Sequence, residues 1–175
     1  MSLTRLFLAI CLILSSYSAY SNESIYLDQL DKEINNRAFA FKFASSMPKY
    51  HINTIENDFW WAYLELETLS KEKYSEVMRR HHIEPNSLVV YKKSMFSKLM
   101  MSIFTQTFYE MMHEATKEYS TQLESIRTTC PEDDTNFCEY AIAQEKLQAR
   151  AMKYVVDGDF SSATSLIKGF IALSR

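Results

Sequence analysis

The chain has 175 residues, of which 19 are basic and 22 acidic, for a formal net charge of −3. A surface of that sign does not displace the counterions of a nucleic-acid duplex, which argues against nucleic acid as a partner. Only two glycines occur, Gly158 and Gly169, with three prolines, so phosphate-cradling loops, dinucleotide fingerprints and nucleophile elbows cannot be built and a turn-rich β architecture is disfavoured.

Residues 1–21 combine an early cation, Arg5, an apolar run from Leu6 to Leu14, and a polar end with small residues at Ala19 and Ser21. This three-part layout predicts a cleaved secretory signal. The run is too short for a stable membrane span, which needs roughly 18 to 20 apolar residues. Removal of residues 1–21 takes away Arg5 alone among the charges, leaving 154 residues with 18 basic and 22 acidic side chains. That length suits one domain, residues 22–175, in the periplasm or outside the cell.

From Ile25 to Ala44, Leu27, Leu30, Ile34, Ala38 and Phe41 recur at steps of three and four, with Asp28, Asp31, Lys32 and Glu33 placed on the solvent side. This predicts an amphipathic helix ended by Pro48. A second helix is expected near Asn53, with Glu56 completing a capping box and Ile55, Phe59, Ala62, Leu66 and Leu69 as its stripe. Ser70 reads as a fresh cap or a kink. Arg79 and Arg80 suit a helix C-terminus, and Pro85 with Asn86 closes the segment.

Ser87 to about Arg127 contains no breaker, so one long helix, or two nearly collinear ones, is predicted as a central spine. Ser94–Met112 is apolar on almost every side and is expected to be surrounded by other helices. Two further helices follow, about Asn136–Val156 and Ser161–Leu173, split by Asp157–Asp159. Gly158 fits the left-handed residue that ends the first and Asp159 the cap of the second. Here Ala151, Tyr154, Gly158, Phe160 and Ala163 resemble a single tetratricopeptide unit over roughly 25 residues. A solenoid needs about three units, and no second copy follows at a 34-residue offset, so the resemblance implies a tight helical hairpin. The fold class expected is all-α: a compact bundle of five or six helices around one long central helix, with one disulfide.

That disulfide is read from Cys130 and Cys138, which flank an acidic loop and would pair in an oxidising compartment. Inside the loop, Glu132, Asp133, Asp134 and Asn136 offer hard oxygen ligands, yet the loop lacks the glycine and the late bidentate glutamate of an EF-hand. A solvated acidic loop is expected instead. Glu110 and His113 form one E-x-x-H pair, as on a di-metal bundle helix, but no second such pair exists. His81, His82 and His113 are the remaining weak zinc candidates. No cofactor is called for. Carboxylate pairs such as Glu65 with Glu67 and Glu114 with Glu118 are expected on solvated faces. Phe59, Trp60, Trp61 and Tyr63 cannot all turn inward, so Trp60 and Trp61 are candidate partner contacts, and Met95, Met100, Met101, Met111 and Met112 offer an adaptable surface.

Together these features predict an exported protein-binding module rather than an enzyme. An inhibitor or immunity-type protein leads, its stapled Glu132, Asp133 and Asp134 entering a basic cleft of a toxin or enzyme. A structural or assembly subunit, or a chaperone of an envelope machine, is the alternative, with a homo-oligomer left open. A metal-dependent or novel hydrolase comes third.

Overall fold

The structure is a computed structural model describing residues 3–49 and 54–175, with side chains described over residues 22–48 and 55–175. Six helices follow in chain order: α1 (Leu3–Ala44), α2 (Thr54–His81), α3 (Ser87–Ile103), α4 (Thr105–Leu123), α5 (Thr135–Val156) and α6 (Phe160–Ser174). Short 3-10 turns lie at Met47–Lys49, Glu124–Thr128 and Glu132–Asp134, and there is no strand among the described residues. The all-α bundle with one disulfide is what forms. The predicted signal rests on residues 1–21, whose side chains lie outside the described residues, as does the capping residue Asn53.

Local chemistry explains most boundaries. Ser70 is not a cap: its hydroxyl donates to the Leu66 carbonyl at 2.8 Å, and α2 runs on as one helix to His81. Asn86 caps α3, its side-chain oxygen accepting from the Leu88 and Val89 amides at 3.2 Å each. The expected spine is two helices, because the chain breaks at Phe104 (φ −135, ψ 58). The Thr105 hydroxyl donates to the Met101 carbonyl at 2.9 Å, taking the acceptor that its own backbone amide would use in a continuous helix, and such back-bonding bends helices. Gly158 (φ +78) ends α5 in the left-handed region, and Asp159 accepts from the Ser162 amide at 3.0 Å to start α6. Ala151 and Ala163, one on α5 and one on α6, are both fully buried and belong to the same core cluster.

The core has two halves. One gathers Phe43, Phe59, Trp60, Leu66, Phe108 and Ile167. The other gathers Tyr26, Leu30, Tyr74, Ile126, Phe137 and Ile142. Between them, each of α1, α2 and α5 contributes buried polar side chains: Glu33, then Glu67 and Ser70, then Gln144, Glu145 and Gln148. Glu33 therefore faces inward, not to the solvent side where its charge placed it.

At the far end of the second half-core, Cys130 and Cys138 are bonded across eight residues, with Cα atoms 6.6 Å apart. They pin the α4–α5 corner. Replacing both cysteines with serine is expected to lower stability by about 2.5 kcal/mol, the chain-entropy value for so short a loop. Urea unfolding of the oxidised protein against the double variant checks it, and equal midpoints would refute it.

Candidate protein-binding face and buried charge layer

The stapled corner divides the predicted acidic contact. Glu132 and Asp133 are exposed, but Asp134 is 1% exposed. Its carboxylate accepts from the Tyr26 hydroxyl at 2.7 Å and pairs with Arg80, while His81 Nε2 lies 2.6 Å from Oδ2. Arg80 also donates to the Asp133 carbonyl at 2.9 Å. Asp134 thus ties the corner to α1 and α2 and is not available to a partner, which corrects that part of the acidic-contact expectation. The same contact commits His81. His113 instead sits 3.2 Å from the Ala149 carbonyl, and Glu110 is exposed, accepting from Gln106 at 3.2 Å. Among the described residues, no three His, Cys, Asp or Glu side chains converge as metal ligands would.

The two tryptophans separate as sharply. Trp60 is 1% exposed, its ring between those of Phe43 at 5.6 Å and Phe59 at 5.0 Å. It is a core residue, which overturns its assignment as a partner contact. Trp61, one step round the same helix, is 55% exposed.

The buried layer is dense in charge. Arg37 reaches all three carboxylates: Glu33 Oε1 at 3.2 Å, Glu67 Oε1 at 2.9 Å, and Glu145. Glu33 also accepts from the Tyr74 hydroxyl at 2.6 Å and the Tyr119 hydroxyl at 2.8 Å. Gln148 donates to Glu67 and accepts from Arg37 at 2.7 Å. Three carboxyls facing one guanidinium would leave a net charge of −2 if all were ionised, a state that a low-dielectric interior resists. Burial accordingly lifts Glu67 to about 7 and Glu145 to about 8, against the opposing pull of Arg37. Burial likewise raises the Tyr74 and Tyr119 hydroxyls far above their ordinary value, so they remain donors. Glu67 is therefore not on the solvated face that its place in an amphipathic helix predicts. The pair Glu33 and Arg37 is spaced i, i+4, which by itself reads as a surface ion pair.

The second feature is α3, whose amphipathicity is inverted. Its buried stripe is Val90, Ser94, Ser97 and Met101, at steps of four, three and four. Leu88, Met95, Phe96, Leu99, Ile103 and Phe104 point outward instead, each between 55% and 60% exposed. Polar contacts hold this helix on α1: the Asn86 amide donates to Asn35 at 2.8 Å, Lys93 donates to Asn36 at 3.4 Å, and Lys42 lies 4.9 Å over the Tyr91 ring. The expectation that Ser94–Met112 is enclosed by other helices holds at Met101, Phe108 and Tyr109, which are buried in the core, and fails over the rest of α3, where serines suffice for the inward contact and leave the large side chains unused. A sequence signal existed: from Pro85 to Tyr109 there is no acidic residue, while Lys92, Lys93 and Lys98 fall among the apolar positions. Met95 and Met111 are exposed as an adaptable surface requires, whereas Met101 is buried.

No helix of the described residues is long and apolar enough to cross a membrane. Comparison with protein-family models, with curated proteins and with solved structures finds no match.

Proposed function

We propose that the chain is an exported helical protein-binding module of the assembly or chaperone kind. Its α3 docks on a protein of the cell envelope that presents an apolar surface with a carboxylate near the middle. The observation that carries this reading is the outward apolar face of α3. Contiguous exposed apolar patches mark interaction sites, and this one lies on a helix whose inner stripe is half serine. Charge specifies the occupant. At 100° per residue, Lys92 falls between Leu88 and Ile103 near the midline of the outward face, with Lys93 and Lys98 toward its edges. A midline cation would be driven into acyl chains on a lipid surface, where cations belong at the rim, but a partner carboxylate satisfies it. A second copy of the chain would oppose three lysines with three lysines, which is repulsive. Export is supported by the Cys130–Cys138 disulfide, since such bonds persist in oxidising compartments.

A benzophenone amino acid at position 99 of the full chain, expressed in its native envelope, tests the reading. Irradiation is expected to give one heterologous adduct, lost when Lys92→Glu is added. A homodimeric adduct, a lipid adduct, or an adduct indifferent to Lys92→Glu would overturn it. The inhibitor or immunity reading keeps support from Glu132 and Asp133, which remain exposed beside the disulfide. It predicts the heterologous adduct with the probe at position 133 and none at position 99.

A further inference from the structure

Away from α3, helices α1 and α2 leave between them a cleft of about 230 Å³. Ile34, Ala38, Phe41 and Met78 supply apolar walls, and Glu67 with Arg37 supplies polar lining. Glu67 is 1% exposed. Both of its donors, Arg37 Nη1 and Gln148 Nε2, address Oε1, and Oε2 is buried with no hydrogen-bond partner. A buried acceptor left without a donor is costly and rare in folded proteins. Here it lies in a layer that already has more carboxyls than cations. Lys71, one turn beyond Glu67, holds its Nζ 5.4 Å over the Phe41 ring, so a wall of the cleft already accepts an ammonium.

We infer that this cleft binds a primary aliphatic amine, the ammonium donating to Glu67 Oε2 and the methylenes lying against Ile34, Ala38, Phe41 and Met78. The surplus of carboxyls selects a cation over an anion. The vacant acceptor selects an N–H bearing head over a quaternary one, since only the former makes a charge-assisted hydrogen bond. The volume selects a slender chain: a dry cavity of about 150 Å³ holds benzene, so this cleft takes an alkyl chain of roughly six carbons. The amine can be a free small molecule or the side chain of a lysine on a bound protein segment, the chemistry being shared. Binding requires the Glu67 carboxylate, so protonated Glu67 must release its proton. The groups facing it are Glu33 and Arg37 from α1, Tyr63, Lys71 and Tyr74 from α2, and Tyr140, Glu145 and Gln148 from α5.

Calorimetric titration of the full-length oxidised protein with n-hexylamine, n-hexanol and Nα-acetyl-lysine methylamide tests the inference. Hexylamine is expected to bind at least about tenfold more tightly than hexanol, the margin of a hydrogen bond to a charged group, with proton release and with affinity rising between pH 6 and 8. Glu67→Gln, which keeps shape and removes charge, is expected to erase that margin. Lys71→Ala, on the exposed rim, is expected to strengthen hexylamine binding by removing a competing ammonium, and it serves if Glu67→Gln does not fold. Equal binding of hexanol, unchanged binding in Glu67→Gln, weaker binding in Lys71→Ala, or no binding of any amine would each overturn the site. Binding of hexylamine alone identifies a free amine as the natural ligand; equal binding of the lysine derivative identifies a protein lysine. None of these outcomes depends on the α3 face.

Discussion

Arg37→Met is expected to lower stability by about 3–5 kcal/mol, the cost of leaving a buried ion cluster without its counter-charge, and to lower Tm on the order of 10 °C. Arg37 is the cation in contact with Glu33, Glu67 and Glu145, and the tyrosines and Gln148 cannot replace its charge. The loss has a direction in pH. The folded protein holds Glu67 at about 7 and Glu145 at about 8, above the ordinary carboxyl value of 4.5. Between pH 4.5 and 8 the native state therefore binds more protons than the unfolded chain. The stabilisation linked to these two groups is complete below about pH 4.5 and is lost as pH rises through 7 to 8. In Arg37→Met the opposing pull of the guanidinium is gone, so the fall in Tm from pH 5.5 to 8.5 should be steeper than in the wild type. Adding Glu145→Gln should restore part of the lost stability. Melting curves of the three proteins across that range check the claim, and parallel pH profiles for wild type and Arg37→Met would refute it.

Trp60→Ala and Trp61→Ala are expected to behave as opposites. The first removes an indole enclosed by Phe43, Phe59, Tyr63 and Tyr109 and should cost about 3–5 kcal/mol. The second removes one that is 55% exposed and should stay within about 0.5 kcal/mol. Chemical denaturation of the two variants separates them cleanly. A comparable loss at both positions would mean that Trp61 is packed in a way the fold does not show.

The contrast between those neighbours shows where sequence reasoning stops. A run of Phe59, Trp60, Trp61 and Tyr63 establishes that some ring must face out, because a helix turns only 100° per residue. It does not establish which one, since that depends on where α6 and α4 pack. The same applies to the acidic corner. Two thiols flanking one loop in an exported chain predict their bond, but Asp134 is withdrawn by Tyr26, Arg80 and His81, which come from elements over fifty residues away.

Helical class, the Gly158–Asp159 hairpin and the sulfur bridge were legible in the chain, because glycine scarcity, a left-handed turn residue, a capping carboxylate and two paired thiols act over a few neighbouring residues. The inward glutamates were not, and the outward face of α3 left only a partial trace, the acid-free stretch from Pro85 to Tyr109 with its three lysines. A carboxylate on a helix lies in water unless another element brings it a guanidinium and hydroxyls, and an apolar stripe is covered only if a neighbour needs it. Here α1 met the side of α3 carrying Ser94 and Ser97, while Arg37 drew Glu33, Glu67 and Glu145 together from three helices. Burial is a property of the assembled helices, and no single helix carries it.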